Sequence, residues 1–183
     1  RSQAPDTTSR IAFADGDTAF DSNGVQYIVN PYDEWYALVR AIELKEQQGG
    51  SVTTLTVGGA ECDPIIRKAL AIGADDAVRV NAHPQDAMQV AQLIADHARD
   101  ESFDVILCGK ETIDHNGSVV PAMVAEMLDL PFVALATRLE VEGDVAKMNR
   151  EVGGGEESIE VSMPFVASAA KGMAEQRIPN MRG

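Results

Sequence analysis

Between Phe103 and Leu128 the chain reads FDVILCGKETIDHNGSVVPAMVAEML. Its opening run, Val105-Ile106-Leu107-Cys108, is apolar without alternation, the pattern of a strand buried on both faces. Gly109 releases the backbone, and the polar segment Lys110 to Gly117 comes next. Beyond it, Met123, Val124, Met127 and Leu128 recur at helical spacing. Strand, polar loop and helix make half of a βαβ unit. The loop is then expected at the carboxyl end of the strand, where open α/β sheets bind ligands. The start of the helix offers unpaired N–H groups to an anion. The same pattern serves equally well as an ordinary βα connection that binds nothing.

The residues before this unit alternate strand and helix. Arg1 to Asp6 carries no strand pattern, although the segments after it read as a sheet that needs an initial strand; the chain is therefore expected to lack its true N-terminus. Ile11-Ala12-Phe13 and Val25 to Val29 are strand-like, with Asp15-Gly16 and Asn23-Gly24 as turn signals, so one or two hairpins are expected there. Asn30-Pro31 suits a helix start as N-cap and first helical residue, and Asp33 falls in the first turn. Trp35, Leu38, Val39 and Ile42 form a core-facing stripe that ends before Gly49-Gly50. Val52, Leu55 and Val57 predict a strand closing at Gly58-Gly59. Asp63-Pro64 predicts a second cap-plus-proline helix start, with Ile66, Ala69 and Leu70 buried and Gly73 past its end. Ala77 to Val80 predicts a strand, and Pro84 to His97 a helix burying Val90, Ala91 and Ile94. This alternation predicts a doubly wound parallel sheet with helices on both faces.

After Leu130-Pro131 the pattern changes. Leu139 to Glu142 and Val145 to Glu151 flank Gly143-Asp144, a hairpin signal. Gly153-Gly154-Gly155 interrupts, Ile159 to Met163 alternates, and Phe165 to Ala169 is apolar; these are expected as antiparallel strands beside the parallel sheet. Lys171 to Gly183 reads as an exposed arm with positive charge at Lys171, Arg177 and Arg182. The expected division is one nucleotide-binding α/β domain over residues 1–169 and a terminal segment over 170–183.

The net charge of -14 argues against a nucleic-acid polymer or an anionic membrane surface as partner. No apolar run approaches the roughly 20 residues that span a bilayer, and no signal peptide is visible. Cys62 and Cys108 lack CxxC spacing and read as structural thiols of an intracellular protein. His83, His97 and His115 show no metal spacing. There is no GxGxxG, no GxxxxGK[ST] and no GxSxG. Asp114 is the one acid singled out, as a ligand contact or equally as an Asx turn residue. Nothing points to catalysis by this chain alone.

Several segments taken together are more specific. Asn30-Pro31-Tyr32-Asp33-Glu34, Leu55-Thr56-Val57-Gly58, Ile66 to Asp75 (IRKALAIGAD) and Cys108-Gly109-Lys110 resemble the electron-transfer flavoprotein β subunit. So do Ile113-Asp114, Arg150-Glu151-Val152-Gly153-Gly154 and Pro179-Asn180-Met181. The match runs in order along nearly the whole chain.

The resemblance implies a Rossmann-like fold and an electron carrier, not an enzyme, in bacterial cytoplasm. It implies a heterodimer with an α subunit that holds most of the redox FAD, and primary dehydrogenases of the acyl-CoA type as electron donors. Within this chain it implies an adenine nucleotide, AMP or a second FAD. The implied nucleotide-binding residues are Asn30, Pro31, Tyr32, Asp33, Val57, Gly58, Gly109, Lys110, Glu111, Thr112, Ile113, Asp114, Asn116, Gly117, Ser118, Val119 and Val120. Respiratory relatives carry an Asn-Gln-Thr type sequence where this chain has Ser118-Val119-Val120, which leaves Ser118 and backbone N–H groups as phosphate donors. The Asp-Gly-Asp-Thr of bifurcating relatives is absent too, so AMP, a second FAD or an empty site all stay open. Lys171, Gly172, Met173, Ala174, Glu175 and Gln176 fall at the family's dehydrogenase-recognition loop, with Met173 as an exposed apolar anchor. By comparison with the family, the first strand and part of the C-terminal arm are missing. A stand-alone nucleotide-binding sensor of the universal-stress type, and an adenylating enzyme, are the competing expectations.

Overall fold

Why the chain folds as it does is clearest at one strand with no polar alternation, Phe165 to Ala169, the middle one of the three parallel strands in the main sheet. The computed structural model describes residues 3–6, 8–29, 33–112, 115–175 and 177. In chain order the elements are β1 (Gln3–Pro5), β2 (Phe13–Ala14), β3 (Ala19–Phe20), β4 (Tyr27–Val29), α1 (Asp33–Gln48), β5 (Thr53–Val57) and a 3-10 turn (Ala60–Cys62). Then come α2 (Asp63–Ile72), β6 (Asp76–Val80), α3 (Ala87–Arg99), β7 (Val105–Gly109), α4 (Val120–Leu128), β8 (Phe132–Glu142), β9 (Val145–Val152), β10 (Gly155–Ser162) and β11 (Phe165–Ala169).

The main sheet has the order β10-β9-β8-β11-β7. β11 runs parallel to both neighbours, with Phe165 opposite Val105 on β7 and Val166 opposite Phe132 on β8. The expectation of an antiparallel β11 is thus corrected. All five of its residues are buried; four are apolar, and Ser168 accepts the Leu135 N–H, a burial that an alternating strand would not accommodate. β8, β9 and β10 are antiparallel hairpins, as expected. β5 and β6 form a separate parallel pair, from Thr53 opposite Asp76 to Val57 opposite Val80. The expected parallel strands are therefore present in two pieces, β5–β6 and β7–β11–β8.

Helices cover both faces. Phe165, Ala167 and Ala169 point to a core that includes Ala37 of α1. Val166 points the other way, to Ala91 of α3 and to Val124 and Ala125 of α4. The second side of α1 buries Leu38 and Ile42 against Ala69 and Ile72 of α2, with Trp35 packed alongside. The α1 stripe is core, as its spacing predicts.

Four local expectations are corrected. Gln3–Pro5 is extended and pairs antiparallel with β4, so the opening segment does contain a strand. Asp63 is the first residue of α2, not its cap, and its carboxylate sits 2.9 Å from Arg79 Nε. The buried side of α2 is Ile65, Ala69 and Ile72, leaving Leu70 exposed. Helix α3 starts at Ala87, where the Asp86 carboxylate accepts the Gln89 N–H at 2.8 Å; an N-cap bond of this kind ends the preceding loop three residues later than Pro84 implied. The Asn30-Pro31 helix start lies outside the described residues.

Phe165 has no exposed surface and is the largest of the fully buried side chains. Phe165→Ala is expected to cost about 3–5 kcal/mol of stability, read as a lower denaturant midpoint with an unchanged slope.

Candidate functional site

Two glycine-marked strand ends begin the site. Gly109 closes β7 where the first turn of α1 crosses it. A Cβ built there would lie 2.7 Å from the Glu34 backbone nitrogen, so only glycine permits this approach. Gly58, just past β5, is under the same constraint: a Cβ would lie 2.5 Å from Cys62 Sγ. Both strand ends are thus pressed against neighbouring helical segments.

The approach at Gly109 sets Asp33 beside the loop. Asp33 is only 7% exposed. Burial holds its carboxyl above the ordinary value; the Lys110 charge works against that, Glu111 adds to it, and the Glu111 N–H donates to the carboxylate. The Lys110 N–H donates to the Ala169 carbonyl at 3.1 Å, carrying the β7–β11 ladder one residue beyond the strands. Lys110 Nζ is 3.3 Å from Glu111 Oε1, and the Ser118 hydroxyl donates to Glu111 Oε2 at 3.2 Å. The loop turns back through the Asn116 N–H, which donates to the Thr112 carbonyl at 2.8 Å. Asn116 and Ser118 both sit in the left-handed region, at φ 48 and 53°, a conformation that costs energy in non-glycine residues and concentrates at functional sites. Helix α4 comes next, with no side-chain cap at Val119 and Pro121 in its first turn. Its leading N–H groups are directed at the loop.

Cys108 is not a reactive group. Burial, with the Glu34 carboxylate adding to it, pushes its thiol up to about 12, far from the thiolate that nucleophilic or redox chemistry needs. Among the described residues no group of three or more His, Cys, Asp or Glu could hold a metal, and no helix is long and apolar enough to cross a membrane.

A cleft of about 1280 Å³ runs past this loop. Of the residues expected to bind a nucleotide, Val57, Gly109, Lys110, Glu111, Thr112, Gly117, Ser118, Val119 and Val120 line it. Asp33 and Asn116 adjoin it through their contacts with Glu111 and Thr112, and Gly58 as the residue after Val57. Asn30, Pro31, Tyr32, Ile113 and Asp114 lie outside the described residues. Glu34 and His115 are among the lining residues outside the expected set; His115 stands within the Gly109–Val120 segment and Glu34 just after Asp33, and their charge or ring was the signal available. With Asp33, Glu34 and Glu111 around a single Lys110, the mouth is acidic.

The terminal segment begins at the same end of the sheet, but differently from expectation. Met173 is 5% exposed and packs in the core with Phe165 and Leu139, so its expected exposure is corrected. Gly172, at φ 106°, makes the turn that sends it inward. Lys171 and Glu175 are exposed and Ala174 is half-buried; Gln176 is outside the described residues. Arg177 is not a free positive charge: its guanidinium bonds Glu46 of α1 through two contacts of 2.8 and 2.6 Å.

Comparison with known proteins adds the family. The electron transfer flavoprotein domain matches residues 17–182. Electron transfer flavoprotein subunit beta of Bacillus subtilis is 38% identical over 182 residues, covering 97% of this chain and 70% of the relative. The subunit beta of Thermoanaerobacterium thermosaccharolyticum is 33% identical over 163 residues (87% and 62%). The human subunit beta is 35% identical over 173 residues (90% and 68%). The chain thus spans roughly two thirds of the length of these relatives.

Two predictions come from this geometry. The folded chain holds the Asp33 proton more tightly than the unfolded chain, because burial raises that carboxyl above 3.8. Ionised Asp33 therefore opposes folding above its folded value, and the penalty fades as pH falls through that value toward 3.8. Asp33→Asn keeps an acceptor for the Glu111 N–H without the charge. It should raise the thermal midpoint at pH 7, with the gain shrinking as pH is lowered in thermal scans. Met173→Ala should cost about 2–5 kcal/mol in chemical unfolding; a wild-type midpoint would return Met173 to the surface.

Proposed function

The chain belongs to the electron transfer flavoprotein family and matches its β subunits, and on that premise we propose that it forms the nucleotide-holding, partner-binding part of such a subunit. It pairs with an α subunit, supports the FAD that the partner holds, and serves as a carrier of electrons between flavin dehydrogenases, of the acyl-CoA type, and a downstream acceptor. Bound FAD supplies the redox chemistry; the residues of this chain bind, orient and exclude water. A cytoplasmic location goes with this role.

The observation that carries the proposal is the meeting of Asp33, Val57 and the Gly109–Val120 segment at the carboxyl ends of parallel strands. That is where a doubly wound, Rossmann-like sheet holds a nucleotide. We read β5–β6 and β7–β11–β8 as parts of one such sheet. The nucleotide is AMP or a second FAD. Its base lies among the glycine-marked strand ends, and its phosphate lies by Lys110 and the start of α4. To donate to that phosphate the Ser118 hydroxyl leaves Glu111, and Lys110 offsets the Glu111 charge. The exposed part of the recognition segment, Lys171 with Glu175, meets the dehydrogenase. The similarity to β subunits leaves the stand-alone sensor and adenylating readings without support.

Co-expression with the α subunit tests this. A yellow complex is expected, and mass spectrometry of the released nucleotides should find AMP beside one FAD, or two FADs. Ser118→Asp places a second carboxylate by Glu111 and should empty the nucleotide site while the FAD of the partner stays. Unchanged nucleotide content would overturn the placement, and a colourless chain that forms no complex would overturn the subunit assignment.

A further inference from the structure

The last turn of α1 is tied down in more than one direction. Lys45 Nζ donates to the Gly73 carbonyl at 2.8 Å and to the Asp75 carboxylate at 2.9 Å, just past the end of α2. Gln48 Nε2 donates to the Val141 carbonyl of β8 at 2.6 Å, and earlier in the helix the Arg40 guanidinium donates to the Leu139 carbonyl. β11 pairs with β8 only as far as Ala136, so these α1 side chains bond β8 beyond the end of that ladder. Glu46 stands between Lys45 and Gln48. Its backbone is therefore held in place from both sides.

Glu46 in turn holds Arg177. Arg177 Nη1 donates to Glu46 Oε1 at 2.8 Å and Nη2 to Oε2 at 2.6 Å. This forked geometry makes an arginine–carboxylate pair directional as well as strong. The bond from Arg177 holds the Glu46 carboxyl below its ordinary value, and Glu46 raises Arg177 in return. The other end of the terminal segment is fixed by different means. The Ala170 N–H donates to the Ala136 carbonyl at 2.9 Å, and the Met173 N–H to the Ala170 carbonyl at 3.2 Å. The Met173 side chain is buried in the cluster that includes Phe165 and Leu139. Ala174 and Glu175 thus lie between two pins, a buried methionine and a surface ion pair. Pinned at one end only, the same stretch would keep its backbone freedom in solution and lose it on meeting a partner.

We propose that Glu46 and Arg177 are positioning residues for electron exchange with the dehydrogenase: they fix the course of the recognition segment, so that Lys171 and Glu175 are presented in one arrangement. This rests on the reading of that segment as the part that meets the dehydrogenase. Neither Glu46 nor Arg177 lines the cleft, so the effect is on docking and not on the nucleotide. The side chain of Arg177 is 34% exposed and that of Glu46 52%. An ion pair so placed adds little to global stability and is screened by salt. Its loss should therefore loosen the segment without loosening the fold.

Complexes co-expressed with the α subunit test this, with an acyl-CoA dehydrogenase reduced by its acyl-CoA as electron donor. In Glu46→Gln and in Arg177→Glu the KM for the reduced dehydrogenase should rise by about threefold to tenfold, because more ordering is left to the encounter. The kcat, the FAD content and the denaturant midpoint should stay at wild-type values. The double variant Glu46→Arg with Arg177→Glu rebuilds the pair with its charges exchanged, and should bring KM back to within about twofold of wild type. Hydrogen–deuterium exchange at the Ala174 and Glu175 amides should quicken in the single variants and slow again in the double one, with the β11 amides unchanged. The proposal is overturned by a wild-type KM in both single variants, by a raised KM that the exchanged pair does not lower, or by a loss of stability that parallels the loss of docking. A wild-type complex that the reduced dehydrogenase fails to reduce overturns the recognition reading, and the proposal with it.

Discussion

The site depends on a missing side chain. At Gly109 the backbone of α1 comes so close to β7 that any Cβ would collide with the Glu34 nitrogen. This one approach fixes the helix relative to the sheet and brings Asp33 under the loop that leaves the strand. It also brings the Glu34 carboxylate near Cys108, whose thiol it helps to keep protonated. A strand end, a helix start and a loop are thereby held together by sterics, before any polar contact is counted. The hydrogen bonds then act on groups already in place. Lys110 extends the β11 ladder, while Glu111 donates its N–H to Asp33 and accepts the Ser118 hydroxyl.

Charges of both signs meet at this junction. Burial holds the Asp33 carboxyl above its ordinary value, the Lys110 charge opposes that and the Glu111 charge adds to it. The start of α4, with no side-chain cap at Val119, adds the positive end of a helix dipole beside the loop.

The sequence made legible those features that depend on local periodicity. The α1 stripe, the β7–loop–α4 unit and the two hairpins can be read from residue spacing, because each buries one face or turns at glycine. What escaped depends on partners distant in the chain. Leu70 has the right spacing for the core, yet α2 is rotated so that Ile72 meets Ile42 and Leu70 meets solvent. Phe165–Ala169 comes after two antiparallel strands and was expected to join them, but its uniform apolar character belongs to the middle of a parallel sheet. Met173 stands among polar residues and looked like a surface anchor. The positive φ of Gly172 and the buried cluster that Met173 joins turn it inward, and neither is visible from composition.

β8 explains how one chain keeps its parallel strands and its outer hairpins apart. Its first residues run parallel to β11 and its later ones antiparallel to β9. A strand that changes partner must also change twist, and the change occurs at an irregularity in both ladders near Ala136. Leu135 takes the left-handed conformation there, at φ 58°, with its N–H donated to the Ser168 hydroxyl at 2.9 Å. That bond accounts for Ser168, the one buried serine of the described residues, because no backbone acceptor is in register where the strand bends. The bend directs β9 and β10 away from the three parallel strands, and their alternating charged residues stay in solvent. β7 thus ends at the Lys110 loop, while β9 and β10 form the opposite edge of the main sheet.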